Sequence, residues 1–203
     1  QMHKLIHSRA SWWTDEEYDF WVAFKLVLAT TGIRVGEASG ASWENLHLRA
    51  EGSNQNRLFI GQARDSDGIL SQPKTNAGLR DVPILTEVGD KLLLLPKVCE
   101  LIFPCPRLGK PRGRGFRKEG YGVRLPIAES YRPVTPEEVW RLGIEPIIQE
   151  FNLPWSKRTH VIRHFQASNM INLGWDIKKV QKRLGHSRAT TTLDTYGHLY
   201  ERA

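Results

Sequence analysis

The strongest constraint on the fold of this chain is a helix start signal near its amino end. Residues 14–17, TDEE, have the pattern of a capping box, in which a threonine and a glutamate three residues later bond each other's backbone N–H groups. Apolar residues at helical spacing continue to Thr30, and Gly32 is a typical residue for ending a helix. The pattern predicts one helix from residue 14 to about 31 and a second, short helix that begins near Val35.

Strand-like segments follow in the next part of the sequence. Segments 57–61, 68–72 and 79–85 are short, rich in β-forming residues and separated by turn residues, which predicts a small antiparallel sheet. Residues 43–48 lead into this sheet, and a helical pattern resumes from residue 86 to about 101. The sheet is therefore expected to lie between two helical regions.

The carboxy-terminal part reads as helical. Residues 135–138, TPEE, form a second capping box and open a helix that Pro146 is expected to disturb. Three short helices are predicted after it: one from about 161 to 173, one capped by Asp176 and ended by Gly185, and one that carries Tyr196. The fold class is α+β, mostly helical, with a small antiparallel sheet on one side.

Composition bounds the kind of protein. A chain of 203 residues with 40% hydrophobic and 25% charged residues suits one globular domain, with room for a small appendage. No apolar run is long enough for a membrane span and no leader pattern is present, so we expect a cytoplasmic protein without a membrane partner. Cys99 and Cys105 suggest neither a disulfide framework nor a zinc site.

Positive charge is concentrated in two places. The net charge is +7, and residues 151–203 carry nine Lys and Arg against three Asp and Glu. A second basic stretch, residues 107–118, lies in a Gly-, Pro- and Arg-rich segment, 104–133, that reads as a long exposed loop. A solvated surface is the ordinary explanation of such charge, but two clusters in one small domain favour a polyanionic partner.

Tyr196, near the carboxy terminus, is a candidate nucleophile. A free phenol has a pKa of about 10, so it attacks poorly at neutral pH unless cations stabilise the phenolate and the electrophile. Several segments offer cationic groups. Arg34 stands at a predicted helix start, His186 follows a predicted helix end, and the segment HVIRH, 160–164, places both histidines and its arginine on one helical face.

Each of these residues also has a structural interpretation. Tyr196 alone is most simply a packing residue, His186 a partner for helix-end carbonyls, and Lys74, in a turn between two strands, a solvated side chain. The pair His160 and His164 has the spacing of a metal site, but Val161 stands where a zinc-protease helix has glutamate. No metal site is expected.

The order of the motifs carries more information than any single residue. The segments TGIRVGEASGASW, PKTNAGLRDVPI, HVIRH and RLGHSRATTTLDTYGHL resemble, in this order, the catalytic domain of the tyrosine recombinases, the phage integrase family. The resemblance extends from about residue 14 to 199 and is strongest around Arg34 and in the last forty-five residues. It implies six catalytic residues and two supporting ones: Arg34, Lys74, His160, Arg163, His186 and Tyr196, with Glu37 and His164.

The resemblance also implies a reaction. Tyr196 would attack a DNA phosphodiester, giving a 3′-phosphotyrosine and a 5′-hydroxyl, and strand exchange would follow without metal, ATP or other cofactor. Arg34 and Arg163 would clamp the phosphate oxygens. Lys74 would protonate the leaving oxygen, His160 would help to move the tyrosine proton, and His186 would donate a hydrogen bond to the phosphate.

Partners and boundaries follow from the same resemblance. The expected partner is double-stranded DNA, bound by a homotetramer on paired recombination sites. Without DNA the chain is expected to be a monomer. DNA contacts are expected from Arg112, Arg114, Arg117, Lys157, Arg158 and Arg188. Residues 1–13 are expected to be a stub or linker from a missing DNA-binding domain, and residues 14–203 the catalytic domain, with its basic loop at about 104–133.

Two alternatives stay open. One is a DNA-relaxing enzyme of the type IB topoisomerase class, which uses a similar set of residues. The other is a non-catalytic DNA-binding protein that has kept the fold. The threonines before Tyr196 are weak helix formers, which predicts a marginally stable segment that can move its tyrosine.

Overall fold

The helix predicted from the first capping box is the central element of the fold. In the computed structural model, which describes residues 1–48, 56–73, 75–106, 131–155 and 159–200, this helix spans Asp15–Thr31. The capping box is present, since the backbone N–H of Glu17 donates to Thr14 Oγ1 and that of Thr14 donates to Glu17 Oε2. The helix ends at Gly32, whose φ of 72° lies in the left-handed region. Both predicted ends are confirmed.

The described residues form nine α-helices and seven β-strands. The helices are α1 (Met2–His7), α2 (Asp15–Thr31), α3 (Val35–Ser39), α4 (Thr86–Leu93), α5 (Pro136–Glu138), α6 (Glu145–Glu150), α7 (His160–Asn172), α8 (Ile177–Leu184) and α9 (Ala189–Tyr200). The strands are β1 (Leu46–His47), β2 (Asn56–Ile60), β3 (Ala63–Arg64), β4 (Leu70–Ser71), β5 (Arg80–Ile84), β6 (Pro104–Pro106) and β7 (Tyr131–Pro133).

A three-stranded antiparallel sheet, in the order β1-β2-β5, covers one side of the helical body. Leu58 pairs with Val82 across β2 and β5, and both side chains are buried. The predicted strand at 68–72 is wrong in one respect, because β4 lies outside this sheet and pairs with β3. The reason is local: the side chain of Asp65 accepts from the backbone N–H groups of Asp67 and Ile69, which closes a tight turn.

The main core forms around α2, which contacts α1, α4, α7, β5 and β6. Its aromatic residues pack edge to face, with ring centroids 4.8 Å apart for Phe20 and Trp21 and for Phe24 and Phe103. Ten of the seventeen residues of α2 are buried, so the helix is surrounded on most sides. This central position makes α2 the support for the elements that carry the site.

Residues 1–13 are part of the packed domain, which corrects the prediction of a stub or linker. Met2, Leu5 and Ile6 of α1 are buried in the main core. Trp13 is also buried, and its indole N–H donates to the backbone oxygen of Leu142 at 3.1 Å. The packed body therefore includes α1, because its apolar side chains contact the core.

Two other boundaries differ from the sequence prediction. The helix predicted for 86–101 ends at Leu93, because Pro96 follows and cannot continue a helix. The loop predicted for 104–133 starts and ends in paired strands, β6 and β7; residues 107–130 lie outside the described part of the chain. The TPEE helix begins as predicted, and a π-helical turn, Val139–Ile144, precedes Pro146 in α6.

The three carboxy-terminal helices are confirmed. Asp176 caps α8 by accepting from the backbone N–H of Lys179, and Gly185 ends it with a φ of 68°. Apolar side chains of α7, α8 and α9 form a second, smaller core: Ala167, Met170, Ile171, Val180, Leu184 and Tyr196. None of the helices in the described ranges combines the length and apolarity needed to cross a membrane.

Candidate active site

A cavity of about 590 Å³ opens where α3, the β3–β4 hairpin, the start of α7 and the segment after α8 meet. Five of the predicted site residues line it: Arg34, Glu37, His160, Arg163 and His186. They come from positions up to about 150 residues apart in the sequence. The fold therefore brings most of the predicted constellation to one place.

Arg34 stands immediately before α3 and is held by Glu37. Its Nη1 donates to Glu37 Oε1 at 2.9 Å, and its backbone N–H donates to Glu37 Oε2 at 2.7 Å. The backbone N–H that could have received an anion is thus already used. Since 43% of the Arg34 side chain is exposed, its guanidinium is the group that can meet an anion in the cavity.

Arg80 was not among the predicted site residues, yet it also holds Glu37. Its Nη1 and Nη2 donate to the two carboxylate oxygens at 3.1 and 2.9 Å, and both side chains are almost fully buried. Burial acts to raise the pKa of the Glu37 carboxyl, but hydrogen bonds and charge from Arg80 and Arg34 outweigh it, so the pKa is lowered. Glu37 is held as a carboxylate between two arginines.

Arg163 is fixed by the ends of two helices. Its Nη1 donates to the carbonyl of Gly32, which ends α2, at 2.7 Å, and its Nη2 donates to the carbonyl of Leu184, which ends α8, at 2.6 Å. Carbonyls at helix ends carry partial negative charge, which suits a buried guanidinium. Burial and the charge of Arg34 lower the pKa of Arg163 to about 10, so it stays cationic at neutral pH.

His186 follows α8 and turns its ring to Arg163. Its Nε2 lies 3.0 Å from Arg163 Nη2, and its Nδ1 lies 2.9 Å from Thr192 Oγ1. Burial and the positive charges of Arg163 and Arg34 lower the pKa of His186 to about 4. The imidazole is therefore neutral at pH 7 in the DNA-free protein.

Tyr196 does not line the cavity, and neither does His164. Its side chain is 4% exposed and packs in the smaller core, where its hydroxyl lies 2.7 Å from His164 Nδ1. Burial raises the pKa of the Tyr196 phenol, and the charge of Arg163 partly offsets this. His164, predicted as a supporting residue, thus holds the tyrosine directly. His160, exposed at the start of α7, points to the cavity instead.

Comparisons with known proteins show the family and the fold of this chain. Residues 133–202 match the sequence model of the phage integrase family. The ICEBs1 integrase of Bacillus subtilis is 44% identical over 209 residues, a match that covers 97% of this chain and 52% of that protein. The Tn1549 transposon integrase, solved in complex with transposon right end DNA, has a TM-score of 0.67 at 22% identity and is matched over 97% of this chain and 59% of that one. The chain belongs to the phage integrase family of tyrosine recombinases.

This tyrosine recombinase chain spans about half the length of the integrase that it matches throughout. A local match to transposase A of transposon Tn554 from Staphylococcus aureus is higher in identity, 50% over 82 residues, and covers 40% of this chain and 20% of that protein.

Several predicted residues of the recombinase site lie outside the described residues. Lys74 is one of them, although its neighbours Pro73 and Thr75 line the cavity. The others are predicted DNA contacts: Arg112, Arg114, Arg117, Lys157 and Arg158. Arg188, the remaining predicted DNA contact, is exposed between α8 and α9. These assignments remain predictions.

A sequence signal for Arg80 existed. Burial alternates along β5, with Arg80, Val82 and Ile84 on the buried face. A charged residue in phase with two apolar strand residues requires a buried partner of opposite charge. Glu37 could have been matched to it, but only a tertiary structure could show that the two meet.

Proposed function

We propose that this chain breaks and rejoins double-stranded DNA, with Tyr196 as nucleophile. The Tyr196 oxygen forms a bond to a backbone phosphorus, the bond from that phosphorus to the 5′-oxygen breaks, and a 3′-phosphotyrosine results. The phenol proton passes to a base, for which His160 is the candidate, and the departing 5′-oxygen gains a proton from Lys74. Attack by another 5′-hydroxyl reverses the step and exchanges strands.

The observation that carries this proposal is the meeting of Arg34 and Arg163 at one cavity. A phosphodiester under attack gains negative charge on its non-bridging oxygens, and two guanidiniums can bind these oxygens with directional hydrogen bonds. Both guanidiniums are held in place beforehand, Arg34 by Glu37 and Arg163 by two helix-end carbonyls. The names of the related integrases and the DNA in the Tn1549 structure support DNA as the substrate.

The contact of Tyr196 with His164, which we call the docked position, requires that the tyrosine moves before it can react. Because its hydroxyl is bonded to His164 and lies outside the cavity, the phenol must leave this contact before it can reach a phosphate. Helix α9 carries three consecutive threonines before the tyrosine, and weak helix formers make local rearrangement less costly. DNA binding is the event that we expect to favour the undocked arrangement.

A suicide substrate tests the proposal. DNA from the ends of the encoding element, nicked near the cut site, should trap a covalent protein–DNA adduct with the wild-type chain and none with Tyr196→Phe. Tyr200→Phe is the matched control, since Tyr200 lies one turn later on α9 and its hydroxyl donates to the carbonyl of Trp175. It should form adduct at the wild-type rate.

Arg34→Ala provides the second arm of the experiment. Loss of one fixed donor to the transition state should slow adduct formation by roughly 10²–10³-fold. DNA binding without any adduct from the wild-type chain would favour the non-catalytic alternative. Relaxation of supercoiled DNA without exchange between paired sites would favour the type IB alternative.

A further inference from the structure

The ring of His186 is held on both sides, and the two contacts fix which nitrogen carries the proton. A guanidinium can only donate, so Nε2, 3.0 Å from Arg163 Nη2, must accept and cannot carry hydrogen. A neutral imidazole has one N–H, which must then be on Nδ1. That N–H points to Thr192 Oγ1 at 2.9 Å. The hydrogen bonds thus select the Nδ1–H tautomer.

Thr192 is built into the structure as the partner of this ring. It is 0% exposed, so its hydroxyl has no access to solvent. The backbone of His186 is fixed as well, because Gln181 Nε2 donates to its carbonyl at 3.1 Å. Neither role has a signal in the sequence, where Thr192 is one of three threonines in a row. It lies on α9, one helical turn before Tyr196.

We propose that Thr192 is a positioning residue of the site, which holds His186 in the Nδ1–H tautomer so that Nε2 faces the phosphate-binding cavity. The inference rests on the proposed function for its role in the reaction. The tautomer itself does not depend on that function.

This arrangement explains how His186 can act on a phosphate. Without DNA, positive charge from Arg163, Arg34 and Arg80 faces the ring, negative charge from Glu37 offsets it in part, and the imidazole stays neutral. When a phosphate oxygen accepts the hydrogen bond that Arg163 Nη2 donated to His186, the Nε2 atom loses this donor and faces the cavity. There it can accept a proton from solvent, which the arriving negative charge favours, and the new N–H can donate a hydrogen bond to the phosphate. With the opposite tautomer, the basic nitrogen would face α9.

Three variants distinguish the effect of the Thr192 hydroxyl from the effect of the packing of its side chain. Thr192→Val removes the acceptor oxygen and keeps the shape, whereas Thr192→Ser keeps the oxygen. Thr195→Val is the matched control, because Thr195 is exposed on the same helix and its hydroxyl donates to the carbonyl of Thr191. The measurements are the adduct rate at saturating suicide DNA, the dissociation constant of the same DNA, and the melting temperature.

Thr192→Val should lower the adduct rate roughly tenfold, the factor that corresponds to one net hydrogen bond in the transition state. DNA affinity should stay within about twofold, since a positioning role acts on the reaction and not on phosphate binding. Thr192→Ser should restore most of the rate, and Thr195→Val should match the wild type. A wild-type rate for Thr192→Val, in a wild-type chain that does form adduct, would overturn the role in the reaction.

Nitrogen chemical shifts of the His186 ring test the tautomer without any DNA. In the wild-type chain at pH 7 the Nδ1 should carry the proton. Thr192→Val removes the acceptor of this N–H, so the ring should turn away from Arg163 in part of the molecules and the Nδ1–H population should fall. An Nε2–H ring in the wild type would refute the inference even if adduct forms. If no adduct forms but the tautomer depends on Thr192, the proposed function fails while the positioning contact stands.

Discussion

Replacement of Arg80 by methionine tests how strongly the site depends on its buried ion pair. In the wild type the guanidinium donates to both oxygens of Glu37, to the carbonyl of Gly78 and, through Nε, to the carbonyl of Arg183 at 3.0 Å. Methionine fills similar space but donates nothing. The variant therefore leaves a buried carboxylate with Arg34 as its remaining partner among the described residues.

The magnitude follows from burial. The Arg80 and Glu37 side chains are 5% and 3% exposed, and removal of one member of such a pair typically costs about 3–5 kcal/mol. Arg34 still donates two hydrogen bonds to Glu37, so we expect the lower end, a loss of about 3 kcal/mol of the free energy of unfolding at pH 7. The ion pair lowers the pKa of Glu37 below 4.5, so the pair stabilises the fold above that value. The difference between wild type and variant should shrink as the pH falls below 4.5.

Urea unfolding followed by circular dichroism measures this difference. Arg57→Met is the control, because Arg57 forms a 4.0 Å ion pair with Asp81 in the same sheet but is about half exposed. It should cost less than about 1 kcal/mol. Adding Glu37→Gln to Arg80→Met removes the buried charge that has lost Arg80 and should recover about 1–2 kcal/mol.

A loss below about 1 kcal/mol for Arg80→Met, equal to that of the Arg57 control, would refute the reasoning. So would a double variant no more stable than Arg80→Met alone, because a buried carboxylate that has lost one of its two arginine partners requires partial recovery when its charge is removed.

Three further predictions concern other parts of the chain. Burial lowers the pKa of Lys25 to about 7, so the unfolded chain binds more protons than the folded chain and stability should rise with pH. From pH 7 to 9 this rise, measured by urea unfolding, should be about 2 kcal/mol larger in the wild type than in Lys25→Met. His164→Phe removes the partner of the docked tyrosine and should raise the adduct rate by up to about tenfold; an unchanged or lower rate would mean that docking does not restrain Tyr196. Hydrogen exchange of the DNA-free protein should show residues 188–198 less protected than α2; equal protection would contradict a mobile segment.

Local chemistry explains which features of the fold could be predicted. The start of α2 at Thr14, the cap of α8 at Asp176 and the left-handed glycine ends depend on a few adjacent residues, and each was found where the sequence placed it. The end of α4 at Leu93 was missed although Pro96 signalled it. The pairing of β4 with β3 depends on a turn at Asp65 that competes with the larger sheet, and the sequence does not show which pairing wins.

The sequence alone determined the candidate groups of the site, because their order and spacing resemble those of a known family. Only the tertiary structure decided how these groups are held: Arg80 on Glu37, Thr192 on His186, and Tyr196 on His164 instead of at the cavity. Helix caps act over one turn of chain and leave a local signal. A buried hydrogen bond joins residues that are far apart in sequence, and its energy depends on desolvation that exists only after the chain has packed.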